Sequence, residues 1–463
     1  MRRLTGEDAG FLAMEGPEQA MNTQAVGILR TTDGGSTALT LEQVRAHLAG
    51  RLDQLPSFRW RVVPIPFGLH QPVVVRDPDF DLDFHVRQRT VADGETLEEA
   101  FASLAEEHLD RRHPLWQVTL LHVLPGGGQA LVLKYHHCLA DGVAARTTFD
   151  RVFSDLELPP IPDEPLPWTP ERLPNRLALL VLAVLLHVHA LLELPRLAWR
   201  ARRGFTAAAE RRRTAGVAVP EFAGAAPRCE LNDAFTPGRT YARVALPLAE
   251  AKRIKDAAGV TLNDVCLATV AGGLRRYLAG RDDLPAEPLL ASVPVSFEAP
   301  DAPLRQAGNR FWSFTTSLAT DEPDPAARLR AISEVSREAR AQLDLLGADL
   351  VPALLDQVPP LVSEPGARAL VERLRDSDGP VDANVLVSNI RGPVEPYPLL
   401  GTVVEELWID GPPSNGVGAN VMLWSYGDRL LFGILAFADA VRDPRGLEHA
   451  LREAFAELSA AHP

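Results

Sequence analysis

A cluster of prolines constrains the fold of this 463-residue chain more than any other feature of its sequence. The cluster occupies residues 159–174, PPIPDEPLPWTPERLP. Because proline lacks a backbone N–H, it cannot continue a helix interior or a central strand, so the stretch predicts a linker. The chain is also too long for one ordinary domain and suits two. We therefore expect an N-terminal domain at 1–160, a connector at 161–228 and a C-terminal domain at 229–463.

Strand and helix patterns alternate on both sides of the linker and predict an α/β (α+β) fold. The runs 116–124 and 130–135 read as two strands, and PGGGQ between them is too short for a parallel crossover, which predicts an antiparallel hairpin. Gly126–Gly128 predict a turn, since no Gly-Lys-Ser/Thr follows as in a phosphate-binding loop. Helical spacing predicts helices at 41–52, 97–109, 248–259 and 446–458, and further strands are expected at 58–65, 72–75, 289–296, 384–390, 402–409 and in a hairpin at 420–437.

The connector contains an apolar stretch at 177–192 that carries no charge over sixteen residues. As a helix it would be about 24 Å long, less than the roughly 30 Å of a bilayer core, so we do not expect it to span a membrane. Seven arginines follow between Arg196 and Arg213. Such a helix is either covered by the protein or lies on a lipid surface, and the arginines favour peripheral contact with anionic lipid.

Charge and cysteine content exclude several classes of function. The net charge of −14 argues against a nucleic-acid partner, because such binding depends on neutralising phosphates. Cys138, Cys229 and Cys266 are too few and too scattered for a disulfide framework, and no His/Cys spacing suggests a metal site. Glu7 and Asp8 stand where a signal peptide needs an apolar core, so we expect a cytoplasmic location.

The segment YHHCLADG at 135–142 carries the chemistry, at the junction of a strand and a helix. Neighbouring strand residues point to opposite faces, so His136 and His137 cannot share one role or converge on one metal ion. A histidine with a pKa near 6.5 is largely neutral at pH 7 and can deprotonate an alcohol. Asp141 fits either a histidine-orienting group or a brace for the loop, and Gly142 permits close backbone approach.

Several motifs carry a family resemblance. HHCLADG at 136–142 matches the HHxxxDG motif of the chloramphenicol acetyltransferase-like superfamily. Within it, the chain resembles the bacterial wax ester synthase/diacylglycerol acyltransferase family over about residues 4–458. The further motifs are, in order, the opening LTGEDAGFLAMEGPEQAMN, Pro114-Leu115-Trp116, Asn263-Asp264, Gly308-Asn309-Arg310-Phe311 and Ser388-Asn389-Ile390-Arg391-Gly392-Pro393.

The resemblance implies two chloramphenicol acetyltransferase-like domains, each a mixed sheet with flanking helices, joined by the long helical connector and separated by a channel. It implies an O-acyltransferase that uses acyl-CoA as substrate, with no permanently bound cofactor. The acceptor would be diacylglycerol, a fatty alcohol or both, giving triacylglycerol or wax ester. His137 would be the general base, and the hydroxyl would attack the thioester directly, without a covalent acyl-enzyme. Such an enzyme would associate peripherally with a membrane or lipid droplet; the sequence predicts no oligomeric state.

Two alternatives stay open at this point. A condensation-type relative would take its acyl group from a carrier protein, and no carrier domain is recognisable in the chain. A non-catalytic lipid-surface protein would have kept the fold and lost the activity, which the complete HHxxxDG motif argues against.

The remaining motif residues have structural as well as functional interpretations. Trp116 is expected in the core or the channel wall. Thr261 and Asp264 resemble a helix-capping pair, which would leave Asn263 freer to reach the active site. Asn389, like Ser388 in the same segment, fits a channel lining or a loop brace.

One arginine concerns the partner of the motif aspartate, and two other positions depart from the family pattern. Arg59 resembles the arginine that pairs with this aspartate in related folds, so we predict an Asp141–Arg59 pair. Glu298 stands two positions after Ser296, where the family usually has arginine, so a substrate-pocket or bracing contact is expected to differ. A further departure from the family pattern is Cys229, at a position where threonine is commoner in the family.

Overall fold

The structure is a computed structural model that describes residues 1–31, 38–122, 128–159, 161, 168–221, 225–298, 302–303, 305–376 and 379–463. The strands within these ranges are β1 (Arg2–Arg3), β2 (Asn22–Thr31), β3 (Trp60–Val63), β4 (Val73–Arg76), β5 (Val86–Thr90), β6 (Trp116–His122), β7 (Gln129–His136), β8 (Arg239–Pro247), β9 (Leu290–Ser296), β10 (Phe311–Ser317), β11 (Val385–Ile390), β12 (Pro398–Leu399), β13 (Thr402–Asp410), β14 (Ala419–Tyr426) and β15 (Arg429–Phe437). The helices are α1 (Gly6–Met14), α2 (Leu41–Arg51), α3 (Leu82–His85), α4 (Leu97–Glu106), α5 (Gly142–Val152), α6 (Arg176–Thr214), α7 (Leu248–Ala258), α8 (Leu262–Ala279), α9 (Pro325–Asp344), α10 (Leu350–Leu355), α11 (Pro360–Asp376) and α12 (Pro444–Ala460).

Two six-stranded sheets form the two halves of the molecule. The N-terminal sheet has the order β12-β13-β2-β7-β6-β5, and the C-terminal sheet has the order β10-β9-β11-β14-β15-β8. Both sheets are mixed, since β5 and β6 are parallel in the first and β11 is parallel to β9 and β14 in the second. The predicted mixed α/β architecture is therefore confirmed.

A strand from the C-terminal half completes the N-terminal sheet. β13 pairs antiparallel with β2 from Thr402↔Thr31 to Asp410↔Gln24. The carboxylate of Asp410 then accepts hydrogen bonds from the backbone N–H and the side-chain amide of Gln24. The division into 1–160 and 229–463 did not anticipate this crossing, because pairing between distant segments leaves no local signal.

Most of the predicted local elements are present. β6 and β7 form the expected antiparallel hairpin, from Trp116↔Tyr135 to His122↔Gln129; Gly126 and Gly127, in the predicted turn, lie outside the described residues. Thr261 and Asp264 form the expected capping box at the start of α8. Each threonine capping box satisfies backbone N–H groups that the first helical turn leaves without partners.

The connector helix differs from expectation in its length. α6 runs for 39 residues, through Pro195, and therefore includes both the apolar stretch and the arginines. The helix is long enough and apolar enough to cross a membrane, so the argument that it is too short is wrong. A single helix of this kind is nevertheless weak evidence for a membrane span. Its inner face packs on the protein through Leu179, Ala183, Leu197 and Gly204.

Gly433 lies where the C-terminal sheet meets the crossing strand, and it yields a stability prediction. A Cβ at Gly433 would stand 2.4 Å from the Ile409 carbonyl oxygen on β13. Gly433→Ala should therefore lower the free energy of unfolding by about 1–3 kcal/mol, the usual cost of overpacking, measured by urea denaturation. Gly50→Ala is the matched control, because Gly50 lies in α2 with nothing within 4 Å and the change should stabilise the helix slightly. Equal midpoints for the two variants would contradict a tight contact at Gly433.

Candidate active site

A cavity of about 140 Å³ lies where the two halves meet, and His137 contributes to its wall. The turn between β7 and α5 forms one side. The ends of β9 and β11, together with β14, form the other side. The polar residues lining the cavity include Thr23, Tyr135, His137, Asp141, Ser296, Ser388, Asn389 and Asn420.

His137 is held from both halves of the molecule. It follows the last residue of β7, and its backbone N–H donates to the Met21 carbonyl at 2.8 Å. Its ring stacks on Phe11 of α1, with centroids 4.1 Å apart and planes 19° apart. From the C-terminal half, Asn309 Nδ2 donates to the His137 carbonyl at 3.0 Å. Burial lowers the pKa of the His137 imidazole to about 4, so the ring is neutral near pH 7.

His136 is buried away from the cavity. Its Nδ1 accepts from the Cys138 backbone N–H at 3.1 Å, and its Nε2 lies 3.7 Å from a carboxylate oxygen of Glu15. Arg111 donates to the same carboxylate. Burial lowers the pKa of His136, and the nearby Glu15 carboxylate opposes that change. The two histidines thus occupy different environments, as strand alternation predicts.

Asp141 acts as a brace and makes no hydrogen bond to His137 among the described contacts. Its Oδ1 accepts from the Val143 and Ala144 backbone N–H groups, both at 3.0 Å, and so caps α5. Its Oδ2 accepts from Arg305 Nη2 at 2.5 Å and from the Arg310 backbone N–H at 2.8 Å. One carboxylate therefore joins the first turn of α5 to the C-terminal half.

The predicted Asp141–Arg59 pair is wrong. Arg59 donates to Asp53 at 3.0 Å and lies over the Trp168 ring. Arg305 takes its place, and it also pairs with Glu298. Glu298, two positions after Ser296, thus takes part in the brace through Arg305.

Gly142 is required by close packing across the two halves. A Cβ at this position would stand 2.3 Å from Cδ1 of Ile390 on β11. The absence of a side chain therefore lets the start of α5 approach the strand that also carries Ser388 and Asn389 into the cavity.

The Pro114-Leu115-Trp116 motif supports the site from behind. Trp116 is buried, stacks between Phe58 and His85, and donates through Nε1 to the Phe58 carbonyl at 2.6 Å. The Leu115 carbonyl accepts from the His136 backbone N–H. Pro114 is buried just before β6. The motif is a core element that positions the end of β7.

Asn263 and Asp264 lie in the first turn of α8. The carboxylate of Asp264 accepts from Ser333 and Ser336 of α9 as well as from the Thr261 cap. Asn263 is absent from the described lining of the cavity, so the expectation that it reaches the active site stays a prediction. These hydrogen bonds hold the first turn of α8 against α9.

Sequence patterns missed three residues that position His137. Phe11 and Asp8 lie on α1, and Arg305 lies just before the motif at 308–311. Asp8 accepts from both the backbone N–H and the Nδ2 of Asn309, at 2.9 and 2.8 Å, and burial raises its pKa. The spacing of Thr5 and Asp8 indicates a capping box, which the structure contains, but it gives no hint of the partner 301 residues away.

Asp141 can be tested by a substitution that keeps its helix cap. Asn is as good an N-cap as Asp, so Asp141→Asn should keep the cap but replace the oxygen that accepts from Arg305 and the Arg310 N–H with an NH2 group, which cannot accept. Breaking a buried ion pair costs about 3–5 kcal/mol, and Glu298 should reduce this because it still pairs with Arg305. We therefore expect a lower urea midpoint for Asp141→Asn. Arg340→Gln, which removes an exposed pair with Asp344 within α9, is the control and should change little. An unchanged midpoint for Asp141→Asn would contradict the brace.

No group of three His, Cys, Asp or Glu side chains within the described ranges is arranged to hold a metal ion.

Comparison with known families covers almost the whole chain. The model of the wax ester synthase/diacylglycerol acyltransferase catalytic domain matches residues 4–266, and that of the WS/DGAT C-terminal domain matches residues 307–459. Two Mycobacterium tuberculosis proteins named as diacylglycerol O-acyltransferases are 32% and 33% identical to the chain. Each alignment covers 100% of this chain, with 96% and 98% of the relative, respectively.

Solved structures agree with these matches. The wax ester synthase/diacylglycerol acyltransferase from Marinobacter aquaeolei VT8 superposes with a TM-score of 0.67 at 25% identity, covering 100% of both chains. The first condensation domain of the calcium-dependent antibiotic synthetase gives a TM-score of 0.58 at 16% identity, covering 100% of this chain and 98% of that one. The second likeness shows the shared two-domain fold alone. Domain matches, full-length relatives and fold together show that this chain belongs to the wax ester synthase/diacylglycerol acyltransferase family of enzymes.

Proposed function

We propose that the chain transfers a long-chain acyl group from acyl-CoA to the hydroxyl of diacylglycerol, a fatty alcohol or both, with His137 as the general base. The observation that supports this proposal most directly is the His137 imidazole, which is neutral near pH 7 and lies in the wall of the cavity between the two halves. The volume of about 140 Å³ is below the roughly 300–1,000 Å³ of pockets for whole ligands. The cavity therefore suits the reacting groups, with the lipid chains extending beyond it.

The proposed reaction has two proton transfers. A ring nitrogen of His137 takes the hydroxyl proton as the alcohol oxygen attacks the thioester carbonyl. The tetrahedral intermediate then collapses, the C–S bond breaks, and the imidazolium returns its proton to the leaving thiolate of CoA. Holding both substrates together makes a covalent acyl-enzyme unnecessary.

The developing oxyanion needs hydrogen-bond donors that are already in position. Ser388, Asn389 and Asn420 carry such donors in the cavity wall, and we propose that the oxyanion forms against this side. Asp141, Gly142, Asn309 and Arg310 act as positioning residues, because their contacts fix the turn that carries His137. His136, Pro114, Leu115, Trp116 and Asp264 support the surrounding core, and Asn263 has no role in this proposal.

His137→Ala tests the base. We expect turnover of palmitoyl-CoA with a diacylglycerol or hexadecanol acceptor to fall by about 10²–10⁴-fold while the fold is retained, because a positioned base contributes about that much. His136→Ala is the matched control, because His136 is adjacent in sequence but is buried away from the cavity. Its main effect should be a lower unfolding midpoint, because it removes the contact with Glu15. Near-normal turnover by a folded His137→Ala protein would overturn the assignment. Turnover of palmitoyl-CoA without an added carrier protein would also exclude the carrier-dependent alternative.

The pH profile gives a second readout of the same assignment. The folded-state pKa of about 4 lies below the value of 6.5 in the unfolded chain. His137 therefore stays an unprotonated base until the pH approaches 4, and kcat/KM should hold through pH 6.5. The unfolded chain binds this proton first, so the stability contribution of His137 falls as the pH drops below 6.5. Assays should therefore be paired with unfolding curves; a half-loss of kcat/KM near pH 6.5 in fully folded protein would contradict a buried neutral base.

The outer face of α6 supports an additional proposal, that the enzyme docks on an anionic lipid surface. Its apolar stripe consists of side chains that are 51–73% exposed: Leu177, Val181, Val184, Leu185, Val188, Leu191 and Leu192. The 3₁₀ turn Pro66–Gly68 contacts α6 and holds Phe67 73% exposed beside this stripe. The exposed stripe argues against a helix covered by the two halves.

Positive charge continues from the apolar stripe along the same helix. Arg200, Arg202 and Arg203 follow it, and Arg203 lies over the exposed Trp199 ring at 4.6 Å. Apolar area with adjacent basic residues is the pattern of interfacial helices, whose binding combines burial with attraction to anionic headgroups. Because the inner face of α6 packs on the protein, we propose that the helix lies on the surface without crossing it.

Vesicle sedimentation tests the docking surface. Leu177, Leu185 and Leu192 changed together to Ser should weaken binding to phosphatidylcholine vesicles that contain phosphatidylglycerol. Changing Arg200, Arg202 and Arg203 to Gln should weaken it as well, and added salt should weaken wild-type binding. Val394→Ser is the control, because Val394 is equally exposed outside α6. Unchanged binding by both α6 variants would overturn the proposal.

A further inference from the structure

A second cavity, of about 460 Å³, lies along strand β10 beneath the C-terminal half of α6. We call it the α6 cavity. Phe205 and Ala209 of α6 line it, together with Trp312, Phe314, Leu343 and Leu354. Gly204 brings α6 against α10 here, since a Cβ at this position would stand 3.2 Å from Cδ2 of Leu350. The result is an apolar cavity of a size common for binding one small ligand.

The α6 cavity is separate from the cavity that contains His137. No described residue lines both. On β10, Phe311 contributes to the His137 cavity, whereas Trp312 and the residues after it contribute to the α6 cavity. Gly6 at the start of α1 packs against the Leu355 backbone, where a Cβ would stand 2.3 Å away, so α1 lies directly against α10. A ligand in the α6 cavity is therefore not placed for reaction at His137.

Arg212 is the one charged residue in the described lining of this cavity. Its neighbours are each paired with a carboxylate, Arg211 with Glu338 and Arg213 with Glu210. By contrast, Arg212 donates one Nη2 hydrogen bond to the Val219 carbonyl, and no carboxylate within the described ranges pairs with it. A guanidinium has five N–H donors, so it can also bind a carboxylate.

We propose that the α6 cavity binds a free long-chain fatty acid, with the hydrocarbon chain in the apolar interior and the carboxylate on Arg212. The apolar walls match the chain, and the single cation at their edge matches one anionic head. This site is independent of acyl transfer at His137. Its failure would therefore leave the proposed function intact, and the reverse also holds.

Photolabelling locates the site directly. Palmitic acid with a diazirine near its methyl end is irradiated with the full-length protein, and the labelled peptides are identified by mass spectrometry. We expect saturable label in 205–220, 312–315 or 343–355, which unlabelled palmitate prevents. Label confined to peptides of the His137 cavity, or to the exposed stripe at 177–192, would overturn the proposal.

Affinity measurements test the roles of charge and cavity shape. The dissociation constant of palmitate, measured by isothermal titration calorimetry, should be about tenfold higher for Arg212→Gln than for wild type, which is the size of one charge-assisted hydrogen bond. Arg213→Gln is the control and should bind as wild type does. Hexadecanol, which lacks the carboxylate, should be unaffected by Arg212→Gln. Ala209→Trp, checked for folding by its unfolding curve, should block binding by filling the cavity. Equal palmitate affinity in the Arg212→Gln and Arg213→Gln proteins would overturn the carboxylate site.

Discussion

The carboxylate of Asp141 is shared between two parts of the molecule. One oxygen caps α5 directly after the histidine turn, and the other accepts from Arg305 and the Arg310 backbone. A charged group that is buried must be paired or hydrogen-bonded, so this carboxylate fixes both partners in one arrangement. Asn309 lies next to Arg310 and reaches the His137 carbonyl. The position of His137 therefore depends on contacts that neither half could supply alone.

The pairing of β13 with β2 also fixes the surroundings of His137 and involves a longer stretch of chain. By pairing with β2, it places Ile409, Gly411 and Pro412 of the C-terminal half in the cavity wall. β2 also pairs with β7, the strand that leads into His136 and His137. Strand pairing across the boundary and the Asp141 brace thus hold the same small region from opposite sides. The general-base role that we propose for His137 requires this kind of rigidity, because the base would have to meet two substrates at short range.

The parts of this arrangement that sequence could predict are local. The β6–β7 hairpin, the Thr261 cap and the opposed histidines follow from turn length, capping spacing and strand alternation, all of which act over a few residues. The partner of Asp141 lies 164 residues away, and the resemblance that points to Arg59 carries no information about which distant arginine packs against the turn. The direction of Asn263 and the length of α6 likewise depend on which neighbours pack against each helix. Periodicity carries no information about those neighbours.

The route of β13 has a further consequence for the integrity of the chain. Residues 398–410 leave the C-terminal half, complete the N-terminal sheet and return to β14. A single protease cut in the proline-rich segment would therefore give two fragments that still share a hydrogen-bonded sheet. They should copurify as a nicked complex, and separately expressed fragments should need each other to fold. The exchange of one strand should thus hold the halves together where the chain between them is cut.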